Sequence, residues 1–203
     1  MDHYADRIRE SHHKEASMLS ALTRETPLGA TITAIREAIR DDRVSSLAGT
    51  LAGQYRRGSF NDSDLYPRAR NERYARKLLH RDPLGAFVVV GMTWLPGQFA
   101  AIHDHAGLWG AEIVTHGTMH ETTYFVAQSN GDRAQLIERG ASFASAGSVG
   151  VISPPFDVHR FGNSGASVAH SIHVYAGEPL TATSFLPADG WHRVQKVRLS
   201  YDD

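Results

Sequence analysis

The sequence predicts a mainly β fold, a β-sandwich or barrel with an N-terminal helical cap, and three observations carry that prediction. From residue 74 onward, short apolar runs of strand length recur with turn residues between them, the pattern of an all-β sandwich or barrel. Ahead of them the chain is polar, with apolar residues at helical spacing. At 203 residues the chain is long enough for one full hydrophobic core. The expectation is a single domain over 1–203, with residues 1–73 as the cap and 74–203 as the sandwich.

In the cap, Ile32, Ile35 and Ile39 are spaced by three and four, which puts them on one face of a helix. Pro27 and Gly29 mark a turn before it, and Arg56-Arg57-Gly58-Ser59 and Asn61-Asp62-Ser63-Asp64 read as loops. Residues 74–79 and 87–94, joined by Asp82-Pro83-Leu84-Gly85, read as a hairpin. Pro96-Gly97 is a turn. Residues 111–114 and 121–126 flank His116-Gly117 and suggest a second hairpin, and Ser129-Asn130-Gly131-Asp132 is a strong turn signal. Runs at 147–152, 169–175 and 193–199 complete the set. There is no internal repeat and no low-complexity tract.

Lysine and arginine number 21 against 22 aspartate and glutamate. A balance so near neutral argues against nucleic acid or an anionic membrane as the main partner. No apolar run approaches the roughly 18 residues of a membrane span. The start, Met1-Asp2-His3-Tyr4-Ala5-Asp6-Arg7, lacks the apolar stretch of a signal peptide, so a cytoplasmic location is expected. With no cysteine, neither a disulfide nor a thiolate metal site is available, and any metal would be held by histidine or carboxylate.

The densest chemistry lies between Trp94 and His105. His103 and His105 are two residues apart in a run that reads as a strand, so their side chains share a face. His159 lies in a second segment, residues 154–163. Two histidines from one strand and one from another cap one side of a metal ion and leave the other side open for chemistry. Glu112 is seven residues past His105. On an unbroken strand that odd offset turns it to the opposite face, so it is not expected as a ligand. The remaining histidines, His12-His13 among them, read as structural or surface residues.

These segments resemble the cupin motifs. Gly97, five residues, His103, one residue and His105 follow the first motif, and Gly117 stands where it expects glycine; Gly110 occupies the position of its usual glutamate ligand. Pro154, His159 and Asn163 follow the second, with Phe156 in place of a glycine. A cupin with three histidines and no carboxylate resembles the thiol dioxygenases, of which cysteine dioxygenase is the best-known member. Ser171-Ile172-His173-Val174-Tyr175, His159-Arg160 and Tyr74-Ala75-Arg76 look like further elements of that family, over residues 74–179.

The resemblance implies a jelly-roll barrel and an iron(II) centre on His103, His105 and His159. It implies a small thiol and dioxygen as substrates and a sulfinate as product. Three neutral imidazoles would leave the metal its full charge, which favours an anionic thiolate. Arg76 is implied as a clamp for a substrate carboxylate, which favours L-cysteine, since a guanidinium grips a carboxylate through parallel hydrogen bonds. Tyr74 shares its strand face, and Trp94 completes the substrate-binding set as a pocket wall; Trp109 is expected in the core or the pocket wall. Tyr175 would donate into the open side of the metal, held by His173, which Ser171 would fix; alternation puts all three on one face. In some members a cysteine forms a thioether with the active-site tyrosine. Its position here is Gly110, so that crosslink cannot form. The same chemistry on 3-mercaptopropionate or another thiol, a non-thiol cupin enzyme, and a metal-binding cupin without activity stay open as alternatives.

Overall fold

The computed structural model describes residues 26–41 and 43–202; the expectations for Met1–Arg7, for His12-His13 and for the rest of the cap before residue 26 lie outside them. Among the described residues two α-helices, α1 (Pro27–Arg40) and α2 (Val44–Arg56), precede eleven strands. Pro27 and Gly29 are not a turn ahead of the first helix but its first turn. Pro27 fills the N1 position, and the Thr26 hydroxyl caps it by accepting from Gly29 N at 3.0 Å. The second helix was not separately anticipated; it buries Leu47, Leu51 and Gln54, one stripe of an otherwise small and polar sequence.

Strands β1 (Ala75–Arg81), β2 (Val88–Trp94), β4 (Gly110–His116), β7 (Val149–Ile152) and β9 (Ala169–Tyr175) form an antiparallel sheet in the order β1-β2-β9-β4-β7. Strands β3 (Ile102–His103), β5 (Thr118–Asn130), β6 (Arg133–Ser145), β8 (His159–Asn163), β10 (Thr181–Ala188) and β11 (Trp191–Arg198) close a ring in the order β10-β11-β6-β5-β8-β3. The result is the jelly-roll cupin fold with helices on one side. The first hairpin forms as expected, β1 with β2. So does the turn at Gly131-Asp132, which joins the thirteen-residue strands β5 and β6.

The hairpin expected across His116-Gly117 does not form. β4 pairs with β7 and β9, β5 with β6 and β8, so the two belong to different sheets. Gly117 is the corner between them. It has φ 79°, and a Cβ there would stand 2.8 Å from the Ala169 Cβ, so only glycine turns the chain at this point.

The first sheet is buried on both faces, which explains the unbroken burial of β2. On its outer face Phe87, Val89, Ala111, Ile113, Ile172 and Val174 pack against Ile32, Ile35, Leu47 and Leu51 of the helices. Its inner face carries Val88, Val90, Met92, Val114 and Tyr175 and meets Met119 and Phe161 of the ring. Strand alternation thus sends every second residue of β9 into the helix core and the others into the barrel.

Candidate active site and metal centre

Three cross-strand rows bring the candidate residues to the inner face. Arg76, Met92, Ser171 and Val114 lie opposite one another in one row. Leu78, Val90, His173, Glu112 and Gly150 form the next. Val88, Tyr175, Gly110 and Ile152 form the third. Directly opposed residues share a face, so the register places Ser171, His173 and Tyr175 inward together.

The ring supplies the histidines. His103 ends β3 and pairs with His159 of β8. His105 lies beyond the end of β3, so the two imidazoles do not meet by simple strand alternation as expected. Asp157 brings His105 in: its Oδ2 accepts both from His105 N at 3.0 Å and from the ring Nδ1 at 3.1 Å. One ligand-type atom from each of His103, His105 and His159 lies within 4.8 Å of the others, and the ring centroids are 4.9–5.0 Å apart.

Each imidazole has an acceptor at Nδ1. His103 faces Ala101 O at 2.8 Å, His105 faces Asp157, and His159 faces Glu121 Oε1 at 2.7 Å. An acceptor there fixes the proton on Nδ1 and leaves the Nε2 lone pair for a metal. Three such lone pairs fit a divalent metal bound on one side. Burial, followed by the neighbouring His159 and His105, holds His103 well below the usual histidine value. Burial also lowers His105 against the opposing bond from Asp157. At His159 burial acts downward too, but the Glu121 bond and the nearby Glu112 outweigh it and its pKa is raised.

The cavity in front of the triad is lined by Tyr74, Arg76, Trp94, Glu112, His173 and Tyr175, with the three histidines at its floor. Arg76 is 5% exposed. Its Nη1 donates to Ser200 O at 3.2 Å and its guanidinium lies 5.3 Å from the centre of the Tyr201 ring. No carboxylate pairs with that guanidinium among the described residues. The backbone of Arg76 is fixed instead by Asp202, whose Oδ2 accepts from Arg76 N at 2.9 Å and whose N donates to Arg76 O. Tyr74 stacks on Trp94 at 4.2 Å.

Trp94 Nε1 donates to Ser171 Oγ at 3.0 Å, and Ser171 Oγ lies 2.8 Å from His173 Nε2. Tyr175 Oη lies 3.3 Å from His173 Nδ1. Burial above all pushes the Tyr175 phenol upward, Arg76 opposing and Glu112 adding, so it stays protonated at neutral pH. Trp109 is not a wall of this cavity: it packs with the helix-side core. At Gly110 a Cβ would stand 2.2 Å from Val174 O, so the backbone of β9 occupies the space that a side chain would need.

Glu112 is the residue that sequence reasoning placed wrongly. It points into the barrel, 4% exposed, with Oε2 3.0 Å from His173 Nδ1. The odd offset from His105 misleads because the chain breaks its strand at Ala106 (φ 55°) and Gly107 (φ 79°). Its true face follows from pairing opposite His173, which only the register reveals. It groups with Glu121 and His159 within 4.8 Å rather than completing the triad. Burial raises its carboxyl, but His173 beside it, then His159 and His105, bring it down to about 2. Glu121 and Asp157 were also missed; neither carries a local signal, since each is defined by the histidine it faces. Ser171, His173 and Glu112 have the order of a hydrolase triad, yet Ser171 is fully buried and its oxygen is sealed behind Trp94, so it cannot act as a nucleophile.

An inward-facing triad of histidines inside a jelly roll defines a cupin with a candidate metal site. A family model for cysteine dioxygenase type I matches residues 18–185. The chain belongs to that family, and its activity is of the dioxygenase type. Among solved structures, it is similar to a conserved protein with a double-stranded β-helix domain from Klebsiella pneumoniae, at 26% identity over 57% of this chain and 82% of that one, TM-score 0.44. It is similar to a cupin domain of an XRE-family transcriptional regulator from Enterobacter cloacae, at 16% identity over 52% and 97%, TM-score 0.38. An oxalate oxidase matches at 17% identity over 60% and 64%, TM-score 0.42. No helix among the described residues is long and apolar enough to cross a membrane.

Proposed function

We propose that the protein is an iron(II)-dependent thiol dioxygenase that converts a small carboxylate-bearing thiol, L-cysteine, to its sulfinate. The observation that carries this reading is the buried Arg76 guanidinium, without a carboxylate partner among the described residues, in the same cavity as three imidazoles with free Nε2 lone pairs. Arg76 binds the carboxylate and so orients the thiol toward the triad. His103, His105 and His159 would hold the iron, which supplies, when bound, the open positions and redox chemistry that dioxygen activation needs. Tyr175, kept protonated, offers a hydrogen bond to the reacting oxygens or sulfur. Trp94, Phe161 and Met92 give the cavity apolar walls that limit water. Both oxygen atoms end on sulfur, so thiol plus dioxygen balances sulfinic acid with no external reductant.

The test is oxygen uptake by iron(II)-loaded protein with L-cysteine, 3-mercaptopropionate and cysteamine in parallel, with the product identified by mass. Uptake with L-cysteine above the other two, giving cysteine sulfinate, supports the reading. No uptake with any thiol, despite bound iron, removes it.

A further inference from the structure

We propose that Glu112 is a positioning residue that holds the ring proton of His173 on Nδ1, and so makes the Tyr175 hydroxyl a hydrogen-bond donor into the cavity. The thiol-dioxygenase reading is needed only for what Tyr175 then acts on.

The Trp94 indole nitrogen donates and never accepts. It donates to Ser171 Oγ, which leaves the serine proton for His173 Nε2, 2.8 Å away. Nε2 is then the acceptor and Nδ1 carries hydrogen. Nδ1 faces two oxygens, Glu112 Oε2 at 3.0 Å and Tyr175 Oη at 3.3 Å. A bare Nδ1 would set its lone pair against a carboxylate; a protonated one is attracted to it. Glu112 therefore fixes the tautomer that the serine begins. Tyr175 can only accept from that N–H, and no other group among the described residues takes the phenol proton. The proton is left for whatever occupies the cavity.

With an apolar residue at 112, the other tautomer becomes accessible. Nε2–H would donate to Ser171, Nδ1 would accept the Tyr175 proton, and the donor would be consumed internally. The strand layout shows that the seat for Glu112 is built. Gly150 lies directly opposite on β7, and a Cβ there would stand 3.2 Å from Glu112 Cγ and 3.3 Å from Oε1. Glycine leaves the room that an inward carboxylate needs.

The experiment uses the full chain loaded with diamagnetic zinc, with ¹⁵N-labelled histidine and His173 assigned by His173→Asn. Long-range ¹H–¹⁵N spectra should show Nδ1 protonated and Nε2 bare. Glu112→Leu should move the proton to Nε2 or into exchange between the two nitrogens. In iron-loaded protein, Glu112→Leu should lower kcat for L-cysteine about tenfold or more while KM stays within about twofold. Adding Tyr175→Phe to Glu112→Leu should cost little further, because one interaction is removed twice. A proton that stays on Nδ1 in Glu112→Leu, or losses from the two substitutions that multiply, overturns the proposal. If Glu112→Leu fails to fold, Gly150→Ala crowds the carboxylate from outside and should shift the same resonances; unchanged resonances there count against it. The spectra need no thiol, so a failure of this inference is separable from a failure of the dioxygenase reading.

Discussion

Replacing Arg76 with glutamine isolates the proposed clamp with little disturbance around it. The guanidinium has five N–H donors, and the folded protein uses one of its side-chain bonds, Nη1 to Ser200 O. The backbone of Arg76 is tied independently to Asp202, and Asp202 is held in turn by Arg73 and Arg70. The strand and the covering segment should therefore survive Arg76→Gln, and the melting temperature should move little. What is lost is the charge-assisted grip on a carboxylate, on the order of 1.5–3 kcal/mol. At tenfold per 1.4 kcal/mol this is a fall of about ten- to a hundredfold in kcat/KM for L-cysteine. Cysteamine has the thiol and the amine but no carboxylate, and its kcat/KM should change by less than about threefold. The assay is steady-state oxygen uptake at matched iron content. Equal losses for the two thiols would refute the clamp, as would an unchanged kcat/KM for L-cysteine.

Glu121→Gln removes the charge behind the His159 imidazole and should weaken metal binding about ten- to a hundredfold, read by competition with a chelating dye; unchanged affinity would remove Glu121 from the metal's support. Leu51→Ala empties a fully buried position between helix and sheet and should cost about 2–5 kcal/mol of stability, read by urea unfolding; a loss below 1 kcal/mol on that scale would mean that the helices are only loosely docked. At Asp82 burial acts upward, but Arg36 and the Ala86 and Leu84 amides outweigh it and the carboxyl lies below its ordinary 3.8. Its folded pKa is depressed, so its contribution to stability is present above 3.8 and is lost as pH falls through the lower folded value. Asp82→Asn should accordingly lower stability at neutral pH and flatten the acid limb of the stability curve; an unchanged acid limb would contradict this.

The sequence carried the residues of the candidate site better than the connectivity. His103, His105 and His159 stand out by motif spacing, but His105 reaches the others through Asp157 rather than by alternation. Ser171, His173 and Tyr175 alternate within one run, so their shared face was legible. So was the turn at Gly131-Asp132, because the required backbone conformation has a residue signature. The strands β6 and β10 were not legible. β6 is largely exposed along its length, and β10, with the sequence TATSFLPA, buries Ala182, Ser184 and the adjacent Phe185, so neither shows strong apolar alternation. The false hairpin at His116-Gly117 came from reading a glycine corner as a reversal, since the same left-handed conformation serves both. Glu112 was misplaced for a related reason: face-counting is valid within a strand, and the count ran through a turn. Glu121 and Asp157 become meaningful only when another part of the chain arrives beside them.

Strand β9 writes two instructions in alternate letters. Ile172 and Val174 face the helices, while His173 and Tyr175 line the cavity with Ser171 hydrogen-bonded behind His173. The helical layer is therefore the anvil against which the row of Ser171, His173 and Tyr175 is held in register. Loosening that layer by heat or by a distant substitution would shift His173 and Tyr175 by fractions of an ångström while the closed ring and its three histidines stayed intact. Metal retention and turnover would then part company on warming, with turnover failing first. The thermal limit of catalysis would be set on the far side of the sheet from the metal.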